Sequence, residues 1–342
     1  MQTKFLINSK ITNPILSNRC YDYHPTKRDE LLNIIYSLFF KEQYDLNCID
    51  TSDITDMSNL FSTIPNNVMT EYIQENLNIS EWDVSNVRYM NGMFEGCLYI
   101  KDLDLSDWDV SNVIDMNNMF RNCGSFNSDL GNWNVSNVKS MICMFDNCQK
   151  YEGNGIYRWN VSNVNNTKQM FCNCKKFNQN IGCWNVSNVR NMFAMFRYCK
   201  SFTGDELYKW NVGNVMYMGD MFYCCCKFNE NINCWDVSNV TDMSHMFEGC
   251  ESFNQPLNDW NVSKVKYMHN MFDNCKNFNQ SLDKWDVSNV EEFREMFEYC
   301  LNLQQDFSDW YINPNIHKIK TNNMFYRTKL NKSMLPNHIN NN

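Results

Sequence analysis

Seventeen cysteines and five histidines are the residues of this 342-residue chain whose types could bind a metal, form disulfides or act as nucleophiles. Nine of the cysteines, Cys97, Cys123, Cys148, Cys174, Cys199, Cys225, Cys250, Cys275 and Cys300, recur every 25 or 26 residues. Such a ladder could carry metal ions or disulfides. An odd number leaves one orphan, and free cysteine habitually behaves as a small buried apolar residue, so packing is the expected role. Off the ladder, Cys172 and Cys174 form C-x-C, Cys224 to Cys226 are consecutive, and Cys183 and Cys234 each precede a tryptophan. Structural zinc needs four converging ligands, commonly two C-x2–4-C pairs, and no matching second pair occurs. His24, His245, His269, His317 and His338 share no repeated position and form no nucleophile set with Cys or Asp. Phosphate-loop, dinucleotide-glycine and HExxH patterns are missing as well. No catalytic residue, cofactor or metal is expected, and the chain reads as a non-enzyme.

The spacing of the thiols belongs to a larger pattern. All ten tryptophans, Trp82, Trp108, Trp133, Trp159, Trp184, Trp210, Trp235, Trp260, Trp285 and Trp310, mark copies of one motif. Its clearest instance, Trp235 to Cys250, is W-D-V-S-N-V-T-D-M-S-H-M-F-E-G-C. A fixed period in the twenties signals stacked repeats rather than one globular core.

Numbering each copy from the valine of S-N-V (Val240 as zero), apolar residues fall at slots 0, 3, 6, 7 and 10. That spacing predicts a helix of about three turns with one apolar face. Slot 6 is Met in all nine regular copies, and slot 3 is Met in seven, with Thr167 and Phe293 as exceptions. Asn at slot −1 (Asn86, Asn112, Asn137, Asn163, Asn188, Asn214, Asn239, Asn289; Lys264 departs) fits a helix N-cap. Trp-x-Val alternates with period two and predicts a short strand. The expected fold is therefore an α/β solenoid, with one short parallel strand and one short helix per 25–26-residue repeat. Losing one tryptophan should leave a cavity costing about 3–5 kcal/mol.

N-V-S at Asn134, Asn160, Asn185 and Asn261 formally matches a glycosylation acceptor. Sibling copies hold Asp83, Asp109, Asp236 and Asp286 there, so a repeat position that takes either residue explains it.

Thr26–Lys41 has helical spacing at Leu31, Leu32, Ile34, Ile35, Leu38 and Phe39, with Thr26 as N-cap candidate. Residues 1–44 read as an N-terminal region with a helix capping the stack, which would otherwise expose an apolar end. A worn copy lies at 45–61, an insertion at 62–81, and the repeats as a whole occupy 45–309. Residues 310–342 form a degenerate last copy, a C-terminal cap and a tail, of which Pro336–Asn342 is expected to be disordered.

The motif W-[DN]-V-S-N-V-x-x-M-x-x-M-F-x-x-C-x-x-F-N-Q resembles the repeat of the BspA-type leucine-rich-repeat surface proteins over roughly residues 45–310. The resemblance implies a leucine-rich-repeat-like fold, a binding or adhesive role and no catalytic residues. Many relatives carry export signals or anchors, which this sequence does not display. Similar arrays also occur in large DNA viruses of protists.

A formal charge of −9 argues against nucleic acid as partner and favours cationic ones. Residues 1–20 contain no apolar run of signal-peptide length, and Leu31–Phe40 is too short to span a bilayer. No membrane insertion is expected, and an intracellular location, host cytoplasm or virion if viral, is favoured over a surface. The functional reading is a monomeric, non-catalytic scaffold for an unknown protein partner. The alternative is a structural or adhesive component of a cell or virus-particle surface. An enzyme would need a site in the irregular ends. Candidate binding positions are slots 1 and 2: Arg88, Tyr89, Asp115, Lys139, Arg190, Tyr217, Lys266, Tyr267, Glu291 and Glu292.

Overall fold

Where each backbone N–H finds its acceptor decides this architecture. In the copy beginning at Val240, the amides of Met246, Glu248 and Cys250 bond within the copy, to the carbonyls of Met243, His245 and Phe247. The amides between them, on Met243, His245, Phe247 and Gly249, bond forward to Tyr267, His269, Met271 and Asp273 of the next copy. Even slots thus close tight turns, and odd slots tie one coil to the next. The same alternation runs from Met90 to Cys97 and from Met192 to Cys199. The computed structural model describes residues 20–314, 318–337 and 339. Residues 1–19, read above as lacking an export leader, lie outside these, as do His317, His338 and residues 340–342 of the tail.

The expected α/β solenoid, leucine-rich-repeat-like with one strand and one helix per repeat, does not form. Among the described residues the α-helices are α1, Arg28–Phe39, and α2, Glu71–Asn76, both before the first regular copy. Parallel pairing is reduced to isolated bridges, one residue per copy, from Asp56 and Tyr89 through to Tyr267 and Glu292. The reason lies at slots 5 and 9. Ala194 and Tyr198 (φ 54 and 61), and likewise Asn118 and Asn122 (φ 58 and 60), are left-handed. A left-handed residue every fourth position prevents continuous i→i−4 bonding. Successive turns still carry slots 0, 3, 6, 7 and 10 inward, so the apolar spacing imitates a helix.

Those inward side chains build continuous columns. The slot 7 rings stack from Phe61 through Phe94, Phe120 and Phe145 onward, with centroids 5.2, 5.4 and 5.6 Å apart. The column continues unbroken to Phe297 on Phe325 at 5.4 Å. Beside it the indoles lie nearly parallel, as in Trp108 on Trp133 at 6.5 Å and Trp210 on Trp235 at 6.4 Å. Each indole N–H has a fixed acceptor one copy back, so burial leaves no orphan donor: Trp235 donates to Leu207 at 2.9 Å and Trp260 to Ile232 at 3.0 Å.

The slot −1 asparagines are not N-caps. Asn188 donates its amide to the Ser162 carbonyl of the preceding copy at 2.7 Å, and Asn214 does the same to Ser187. Lys264, the departure from Asn, donates to Asn239 Oδ1 at 2.8 Å. The Trp-x-Val segment is no strand either. There, the Asp or Asn after tryptophan accepts from the backbone N–H two residues on, as in Asp236 from Ser238 and Asn185 from Ser187. That turn needs only an acceptor oxygen, so Asp and Asn interchange.

A donor and a cap respond differently to substitution. Asn188→Asp should cost about 1 kcal/mol, because it sets a carboxylate against the Ser162 carbonyl. An N-cap would tolerate Asp. A thermal melt of Asn188→Asp matching wild type would contradict the inter-coil bond.

Two of the three 26-residue copies absorb the extra residue in a left-handed turn followed by a short 3-10 turn, Ile156–Arg158 or Leu207–Lys209; the first, from Trp82 to Trp108, has no such turn. At the N-terminal end, α1 begins after Lys27, not Thr26, and Lys27 makes no side-chain cap. Thr26 instead bonds Glu30 through its amide and hydroxyl. Helix α1 buries Leu31, Ile35, Leu38 and Phe39. Its Arg28 covers carbonyls at the edge of the first copy, those of Ser58 and Asn59.

Candidate interaction surface

Slots 1 and 2 form two adjoining columns along the stack. Their backbone is committed: each slot 1 N–H bonds the slot 1 carbonyl of the preceding copy, as Ile114 to Arg88 and Lys139 to Ile114. Each slot 2 carbonyl accepts from slot 3 of the preceding copy, as Asp115 from Met90.

The ten candidate residues divide into two groups. Arg88, Lys139 and Arg190 are exposed, as are Tyr89, Tyr217 and Tyr267 at about two-fifths of their surface. Among the described residues, none of these six side chains has a hydrogen bond or ion pair. The other four are engaged. Asp115 accepts from the Asn117 amide at 2.8 Å. Lys266 pairs with Glu291 of the next copy at 3.2 Å. Glu292 lies 3.6 Å from Arg294 and 3.9 Å from His269.

Slots 4, 5, 8 and 9 adjoin the same outer surface. Lys168 lies over the Phe193 ring at 5.5 Å, beside a shallow concavity that these two share with Asn191 and Tyr217. Arg197 sits over Tyr223 at 4.1 Å and Tyr198 at 5.1 Å and pairs with Asp220. Further along, Glu248, Asp273, Glu295 and Glu298 form an acidic seam. His245 hydrogen-bonds Glu248, and its ring meets that of His269 at 4.8 Å. Burial opposes charge on His245, but Glu248 and Asp220 lift it above the ordinary imidazole value. Burial and the neighbouring His245 charge lower His269. The sequence signal for this surface was the recurrence of Gly and Asn at slot 9, residues that accept left-handed backbone.

Burial, with Glu248 and then Glu298 and Glu295 alongside, raises the Asp273 carboxyl to about 7. Unfolded, it would release its proton near 4. The folded chain therefore binds more protons between these values, and stability falls as pH rises through that window. Asp273→Asn should raise the melting temperature at pH 8 by about 2 °C and leave it unchanged near pH 3.5. An equal shift at both pH values would contradict this.

The ladder cysteines are buried neutral thiols. Cys225 and Cys250 donate to the carbonyls of Phe196 and Phe222 one copy back, each at 2.9 Å. Burial pushes Cys97 up to about 12, far from the thiolate that a nucleophile or metal ligand requires. All seventeen cysteines are free. Among the described residues, no group of three or more His, Cys, Asp or Glu is arranged to hold a metal ion. None of their helices is long and apolar enough to cross a membrane.

Comparison with curated proteins finds no match. Three overlapping segments, residues 33–156, 143–240 and 225–338, each match one family, described as Mycoplasma protein of unknown function, DUF285. The serial matches agree with the tandem copies and together span residues 33–338. The chain is a tandem-repeat protein and belongs to the DUF285 family.

Proposed function

We propose that the chain is a non-catalytic scaffold that holds a protein partner against the columns of slots 1 and 2. One observation carries this reading. Arg88, Tyr89, Lys139, Arg190, Tyr217 and Tyr267 are exposed, lack any polar partner among the described residues, and stand on a frame whose slot 1 N–H groups and slot 2 carbonyls already bond neighbouring copies. Tyrosine and arginine are the residue types that most often anchor interfaces. A rigid array of this kind presents an extended surface on which varied side chains set specificity. The resemblance to BspA-type repeats, with their binding or adhesive role, supports the same reading.

Affinity capture from the native cell, with the wild-type chain and Tyr217→Ala/Tyr267→Ala as baits, tests it. Both tyrosines are exposed, so the double variant should melt as wild type does. Recovery of the specific partner should fall about tenfold, the loss of one modest hot spot. Undiminished recovery would remove these columns from the binding surface.

A further inference from the structure

Slot 1 holds Arg88, Ile114, Lys139, Asn165, Arg190 and Met216 in successive copies. Cations therefore stand on every second coil. Several other basic side chains of the stack are neutralised in place: Arg121 by Glu95 and Asp146, Arg197 by Asp220, Lys266 by Glu291. The chain carries 39 acidic residues against 30 basic ones, so carboxylates are not scarce. Arg88, Lys139 and Arg190 are nevertheless exposed and, among the described residues, unpaired. Asp115, in the adjoining slot between the first two, is held by the Asn117 amide. A surface groove lined by Asn86, Arg88, Asn112, Ile114 and Asn137 follows this column.

We infer that the slot 1 column binds an acidic, extended peptide segment whose carboxylates recur at every third residue; the inference rests on the scaffold reading and names its partner's chemistry. The spacing decides the period. Coils joined by parallel backbone bonds lie about 4.8 Å apart, which places the cations roughly 10 Å apart. A polyproline II segment turns once in three residues of about 3.1 Å each, so its same-face side chains recur about every 9.3 Å. A β-strand would send residues i and i+3 to opposite faces and lose the match. The overall negative charge of the chain disfavours such a segment wherever cations are absent or already paired.

The test is fluorescence anisotropy with the full chain at low salt. The probes are a labelled proline-rich peptide bearing Glu at every third residue and a peptide of equal composition with its Glu residues consecutive. Inorganic polyphosphate and a single-stranded oligonucleotide serve as competitors. The spaced peptide should bind at least fivefold tighter than the clustered one. Arg190→Glu should weaken it about tenfold, Arg190→Ala less, and Lys266→Glu, at a cation already paired, less than twofold. Equal melting temperatures for these variants keep the comparison free of folding effects. Equal binding of the two peptides, or tighter binding of polyphosphate or oligonucleotide, would overturn the inference. So would no peptide binding at all; if the tyrosine-dependent capture persisted, the scaffold reading would then stand alone.

Discussion

Replacing Phe196 with alanine should cost about 3–5 kcal/mol and split the unfolding transition in two. Phe196 has no exposed surface. Its ring lies against Phe171 at 5.9 Å, Phe222 at 5.8 Å and Phe202 at 4.3 Å, with Trp210 tilted beside it at 6.3 Å. Truncation removes these contacts and leaves a cavity that its neighbours cannot close, since they are pinned by inter-coil backbone bonds on both sides. Each coil touches chiefly its neighbours, so the cavity weakens one interface and leaves the others intact. Urea unfolding followed by circular dichroism should show a broadened or biphasic curve where the wild type gives a sharper one. Phe196→Leu should lose much less, because it retains most of the volume. A cost below 1 kcal/mol for the alanine variant would mean that the phenylalanine column is not the principal support of the stack.

Gly155→Val should be comparably damaging, by about 3 kcal/mol, for an unrelated reason. Gly155 is left-handed, with φ 78. A Cβ there would stand 2.4 Å from Asp129 Oδ1, 2.6 Å from Gly131 Cα and 2.8 Å from Gly131 N. Two of these atoms are backbone and cannot rotate away, and a β-branched residue adds strain of its own in that region. Gly124→Ala is the control: its Cβ would meet nothing within 4 Å and its backbone is not left-handed, so stability should change by less than about 0.5 kcal/mol. Equal melting temperatures for Gly155→Val and Gly124→Ala would refute the close approach of the two coils at this turn.

The core was legible in the sequence because burial imposes composition. Trp at slot −5, Val at 0, Met at 3 and 6, Phe at 7 and Cys at 10 could be read as inward positions, and Trp235, Val240, Met243, Met246, Phe247 and Cys250 are all buried. The backbone path was not legible from the same residues. A three-to-four spacing of apolar side chains is produced equally by a helix and by consecutive turns, and only the left-handed slots distinguish them. Ala194, Tyr198 and Glu295 occupy those slots in some copies and hide the signal. For the surface, exposure of Arg88, Tyr89 and Tyr217 followed from their place beside the valine. The pairing of Lys266 with Glu291 depends on which copies are neighbours, and so do the Arg197–Asp220 and Glu248–Asp273 groupings, each of which joins side chains of successive copies.

Slots 3, 5, 7 and 9 donate forward and slot 1 donates back, so the two sides of every coil carry complementary sets of amides and carbonyls. Each unit is therefore a mould for its successor, and any junction can accept any whole unit. Duplicating or excising one complete 25-residue module would change only the length of the array. Inserting a single residue between slots 3 and 9 would put amide against amide and halt growth at that junction. A gene carrying this pattern can thus vary its reach by copy number while its chemistry stays constant.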